Sequence, residues 1–112
     1  MDRLKRLEIL HSTLKSRALI LDGGMGQELL ARGMKPNGTL WSANAILNEN
    51  YHQLLADTHK DFVKAGAEVI VTTTFTTRRK RLRDNKVEDK FEYLNKKAGQ
   101  IAQNVKKEFP NI

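Results

Sequence analysis

The chain has 112 residues, enough for one small domain and too few for two. Its 20 basic and 13 acidic residues leave a net charge of +7, and 39% hydrophobic with 29% charged residues suits a globular chain and not a disordered one. The lack of cysteine excludes a disulfide framework and any thiolate-held zinc or iron–sulfur site within these residues, and it fits a reducing compartment.

Leu4, Leu7, Leu10 and Leu14 recur at helical spacing, which predicts an N-terminal amphipathic helix over about residues 1–17. Arg6 and Glu8 interrupt its apolar positions, so it is not a signal-peptide core, and no apolar run reaches the roughly 20 residues of a membrane span. A cytoplasmic location without a membrane partner is expected. The apolar run at residues 18–21, ending in Asp22-Gly23-Gly24, predicts a strand buried on both faces. Gln27 to Arg32 reads as a short helix closed by Gly33. Met34 to Asn48 reads as a long irregular loop around Lys35-Pro36-Asn37-Gly38. Asn50 is the expected N-cap of a helix from Tyr51 to Ala65, ended by Gly66. The β-branched residues from Val69 to Thr74 predict a second strand. Phe75 to Asn85 reads as a polar loop or broken helical turn, and Val87 to Phe109 as a long helix stopped by Pro110. Strands alternating with helices predict an α/β fold with parallel strands.

Charge is unevenly placed. Residues 1–77 carry nine basic and eight acidic residues, whereas residues 78–112 carry eleven and five. The run from Arg78 to Arg83 holds five cations in six positions, which suits either a solvated face or a polyanion site. No zinc-finger, RNP or Walker pattern accompanies it, and nucleic acid is not an expected partner.

Asp22-Gly23-Gly24-Met25-Gly26 lies between a predicted strand and a predicted helix, where α/β proteins hold ligands. A dinucleotide site is disfavoured: Leu29 replaces the third glycine, and threonines stand where an acidic residue would end the second strand. Two readings of Asp22 stay open, a carboxylate for a substrate amino group or a cap for the following turn. His52 and His59 are seven apart on one predicted helix, about 10 Å, too far to share a metal, and are expected at its surface or an interface. Trp41 is expected to be a packing anchor, and nothing marks Ser42 as a nucleophile.

Three segments resemble the homocysteine S-methyltransferase family. They are residues 19–29 (Leu-Ile-Leu-Asp-Gly-Gly-Met-Gly-Gln-Glu-Leu), residues 40–44 (Leu-Trp-Ser-Ala-Asn), and residues 59–70 leading into Thr72-Thr73-Thr74-Phe75. Their order and spacing carry the likeness over roughly residues 18 to 109. The resemblance implies methyl transfer to the thiol of homocysteine, giving methionine. It implies a (β/α)8 barrel of which residues 1–112 would be the first two β/α units, flanked by the N-terminal helix and the long C-terminal helix. It also implies that Asp22 holds the substrate amino group, that Gly23 and Gly24 let the backbone approach the substrate, and that Thr72, Thr74 and Phe75 line the same pocket. Glu28 matches a structural position.

The family's zinc, held by three cysteines on late strands, has no ligands here, so no metal and no catalytic residue is expected in this chain. Gln27, Thr73 and Thr76-Thr77 depart from the family's usual Thr, Asn and Gly-Ala. The implied reading is a truncated domain, inactive alone, that binds homocysteine and associates with a complementary barrel piece or with itself. The alternative is a basic binding module using Arg78 to Arg83.

Overall fold

The computed structural model describes residues 2–112; Met1, at the head of the predicted N-terminal segment, lies outside the described residues. Asp2 caps the first helix, α1 (Arg3–Ser16), by accepting from the Lys5 amide at 2.8 Å. Four further helices of the described residues surround a shared core: α2 (Met25–Ala31), α3 (Asn44–Leu47), α4 (His52–Lys64) and α5 (Arg79–Asp84). The long helix α6 (Phe91–Glu108) closes it. Single 3-10 turns at Trp41–Ala43, Glu49–Tyr51 and Glu88–Lys90 lead into α3, α4 and α6.

The helix ends follow their residues. Gly33 and Gly66 adopt φ of +104° and +120°, a left-handed geometry that glycine takes without a Cβ penalty, and the chain reverses there. The expected cap at Asn50 is replaced by Asn48, whose side chain accepts from the Asn50 amide at 3.0 Å one turn earlier. The core joins Leu29 of α2, Ala45 and Ile46 of α3, Leu55 of α4, Leu82 of α5, and Leu94, Ala98 and Ile101 of α6. Met34, Leu40 and Ala43 fill its centre, so the stretch expected as an irregular loop is among the most buried parts of the chain. Burial there comes from short turns, which carry no periodic signature in sequence.

The α/β expectation is overturned. Residues 18–21 and 68–74 form no strand; their pairing is one isolated parallel bridge, Leu21 to Val69. The Val69 amide donates to the Ile20 carbonyl at 3.3 Å and the Asp22 amide to the Val69 carbonyl at 3.1 Å, and the ladder stops. Each segment has only the other as a backbone pairing partner among the described residues, and a parallel pair without further strands is weakly held. Ile20, Leu21 and Val71 are exposed instead of buried. The described residues are therefore a helical assembly with two extended segments at one side, not two units of a barrel. An ion pair clamps those segments where they begin: the Arg17 guanidinium donates to both carboxylate oxygens of Glu68, at 2.9 and 2.7 Å.

Candidate functional site

The bridge sets the site by bringing two chain segments side by side. Asp22 follows the first segment, and its Oδ2 accepts from the Val71 amide of the second at 3.0 Å. The turn-cap reading therefore fails: α2 begins at the N-cap Gly24 with no side-chain cap, and Asp22 ties the segments together instead. Its Oδ1 accepts from no group among the described residues.

α4 supports this junction from below with two residues three apart, hence on one helix face. A Cβ on Gly23 would lie 3.1 Å from the Phe62 ring, so glycine here lets the turn rest on that ring. Fully buried His59 lies beneath the second segment, with Nε2 3.4 Å from Thr73 Oγ1 and Nδ1 without a partner. Its expected place at a helix surface is thus corrected. Burial holds its pKa below the usual histidine value, partly opposed by the negative charge of Asp22.

Above the junction lies an open cavity of about 440 Å³. Of the residues singled out in the sequence, Asp22, Gly23, Gly24, Thr72 and Phe75 line it, while Thr74 does not. Thr74 turns back locally, its amide donating to the Thr72 carbonyl at 2.8 Å. Gly24 has open space around its Cβ position, so no neighbour requires a glycine there.

Nine further residues line the cavity that were not named as site residues, among them Trp41, Thr76 and Arg81. Trp41 has φ of +52°, an uncommon conformation for a bulky residue that costs roughly 1–3 kcal/mol. Its ring is half exposed and passes 3.3 Å from the Cβ position of Gly26, forming one wall of the cavity and not a packing anchor. Its place in residues 40–44, one of the three segments that carry the family resemblance, was its sequence signal.

The threonines that depart from the family pattern are structural ties. Thr76 Oγ1 accepts from the Ala43 amide at 2.9 Å. Thr77 Oγ1 donates to Asn95 Oδ1 at 2.7 Å, and Asn95 Nδ2 returns a bond to the Thr77 carbonyl at 3.1 Å. Both threonines are buried.

The basic run has local partners. Lys80 pairs with Asp84 at 3.0 Å and Arg83 with Glu88 at 2.6 Å. Arg78 and Arg79 lie over the rings of Phe75 and Phe91, 5.1 and 4.1 Å from their centroids. Arg81 donates from Nη1 to the Thr39 carbonyl at 2.7 Å. Among the described residues, no three of His, Cys, Asp and Glu group as metal ligands, and no helix is long and apolar enough to cross a membrane.

Comparison with known proteins adds a family. Residues 19–111 match the family model described as homocysteine S-methyltransferase. The chain is 34% identical over 77 residues to homocysteine S-methyltransferase 2 of Saccharomyces cerevisiae, covering 62% of this chain and 24% of the yeast protein. It is 41% identical over 61 residues to the homocysteine S-methyltransferase of Escherichia coli, covering 54% and 19% respectively. It is 32% identical over 94 residues to the methionine synthase of Mycobacterium tuberculosis, covering 82% and 8%. The chain thus spans a quarter or less of the length of these relatives. No solved structure matches it significantly.

Proposed function

Because the chain belongs to the homocysteine S-methyltransferase family, we propose that its cavity binds the amino-acid end of homocysteine, the methyl acceptor. The observation that carries this reading is the charge of the lining. Asp22 is its one carboxylate and Arg81 its one cation, and every other lining residue is neutral. A site with one charge of each sign suits a zwitterion, and Asp22 keeps a carboxylate oxygen available for an ammonium group. Trp41, Met25 and Phe75 supply apolar walls for the methylene chain.

The family's zinc does not fit the residues present. The chain has no cysteine, and its described residues form no cluster of metal ligands. No step of methyl transfer is therefore assigned to these residues. Their proposed role is to bind and orient the acceptor.

Titration of the chain with homocysteine while recording backbone amide spectra tests this. Saturable shifts are expected at Asp22 to Gly26 and at Thr72 to Phe75. Asp22→Asn keeps an acceptor for the Val71 amide but removes the charge, so affinity should fall about tenfold or more with little change in stability. No saturable shift at about 10 mM homocysteine, where even millimolar binding would register, would overturn the reading.

A further inference from the structure

We propose that Arg81 is a specificity residue of this cavity, pairing with the α-carboxylate of the bound amino acid. The proposal rests on the amino-acid reading above and deepens it. Arg81 belongs to the cationic run, and it is the half-buried cation of that run, at the cavity wall. Lys80 and Arg83 pair with carboxylates and Arg78 and Arg79 lie over aromatic rings, whereas Arg81 has neither kind of partner among the described residues.

Its placement follows from its helix. Leu82, the next residue of α5, is fully buried in the core, which sets Arg81 at the flank of the buried face. The single bond from Nη1 to the Thr39 carbonyl steadies the guanidinium without neutralising it. Asn85, one turn later, holds the same turn: its Oδ1 accepts from the Thr39 amide at 3.1 Å and its Nδ2 donates to Thr39 Oγ1 at 2.8 Å. A guanidinium has five N–H donors in a planar fork matched to a carboxylate, and one of them is committed here. Asp22 and Arg81 then meet the two charged ends of the same zwitterion.

Calorimetry on the full chain tests this with three probes: homocysteine, its analogue lacking the carboxylate (aminopropanethiol), and its analogue lacking the amino group (mercaptobutanoate). The chain should bind homocysteine about tenfold or more tightly than aminopropanethiol. Arg81→Gln should erase that preference while binding aminopropanethiol as the unaltered chain does. Its weak binding of mercaptobutanoate should weaken further.

Asn85→Ala loosens the Thr39 turn without removing a charge, and it should keep the preference. If Arg81→Gln retains the preference, the proposal is overturned and the amino-acid reading stands. If Asn85→Ala loses as much as Arg81→Gln, Arg81 acts by holding the turn, and the proposal is likewise overturned. If the unaltered chain binds no homocysteine, the amino-acid reading fails and the proposal falls with it.

Discussion

His59 shows how one residue can serve the site without touching a ligand. It is fully buried, it sits under Thr73, and burial lowers its pKa while the charge of Asp22 opposes the shift. A histidine depressed in the folded state is neutral in both states above its ordinary value of about 6.5. Below that value the unfolded chain takes up the proton first, so stability is lost as pH falls toward the folded pKa. Urea midpoints should therefore decline between about pH 7.5 and 5.5. In His59→Gln, which retains a polar group near Thr73 and cannot titrate, that slope should flatten; an identical slope in the variant would refute the assignment. Glu68 acts in a separate, more acidic window. Hydrogen bonds from Arg17 lower its pKa, so its contribution is present above its ordinary value and disappears at still lower pH. Of the residues with a local sequence signature, Asp22, Gly23, Gly24, Thr72 and Phe75 line the cavity and Thr74 does not. Arg81 and Trp41 were not named as site residues, because their part in the cavity comes from contacts between separate segments, Arg81 with Thr39 and Trp41 with the turn at Gly26.

At the scale of elements, the segment from Thr73 to Thr77 is fixed by side chains and not by a ladder. Thr76 ties it to the 3-10 turn before α3, and Thr77 ties it to Asn95 of α6. Thr77→Val conserves shape but leaves the half-buried Asn95 Oδ1 without its donor from the buried Thr77. It should destabilise the chain by about 1–3 kcal/mol, read as a drop in urea midpoint, with α6 retained in far-UV circular dichroism. A change below about 0.5 kcal/mol would show that the tie contributes nothing. Helices α2, α4 and α6 were legible because their apolar residues recur at three and four, and because Gly33 and Gly66 mark reversals. The apolar run at residues 18–21 and the β-branched segment from Val69 to Thr74 were misread. A strand is defined by its neighbours, and here each has one partner bridged at a single point. The N-terminal helix was legible in spacing but not in fate, since none of its residues is buried.

For the whole molecule, size and surface disagree with closure. A compact domain of this length has a radius of gyration of about 13 Å and a compact monomer of this mass about 6,300 Å² of accessible surface. The chain has 15.1 Å and 7566 Å². The excess follows from α1, whose leucines stay exposed, and from the bare faces of Ile20, Leu21 and Val71. An exposed apolar surface of this kind should bind a polarity-sensitive dye such as anilinonaphthalene sulfonate under native conditions, and sedimentation should depend on protein concentration. Leu7→Lys with Ile20→Lys places charges on both contributing elements. Both side chains are about half or more exposed, at 50% and 59%, so folding should change by no more than about 0.5 kcal/mol per site. Dye fluorescence and concentration dependence should both fall in the double variant. If the variant binds dye and sediments as the unaltered chain does, the apolar face lies elsewhere. If instead its urea midpoint collapses, α1 and the first extended segment are packed more tightly than their exposure implies.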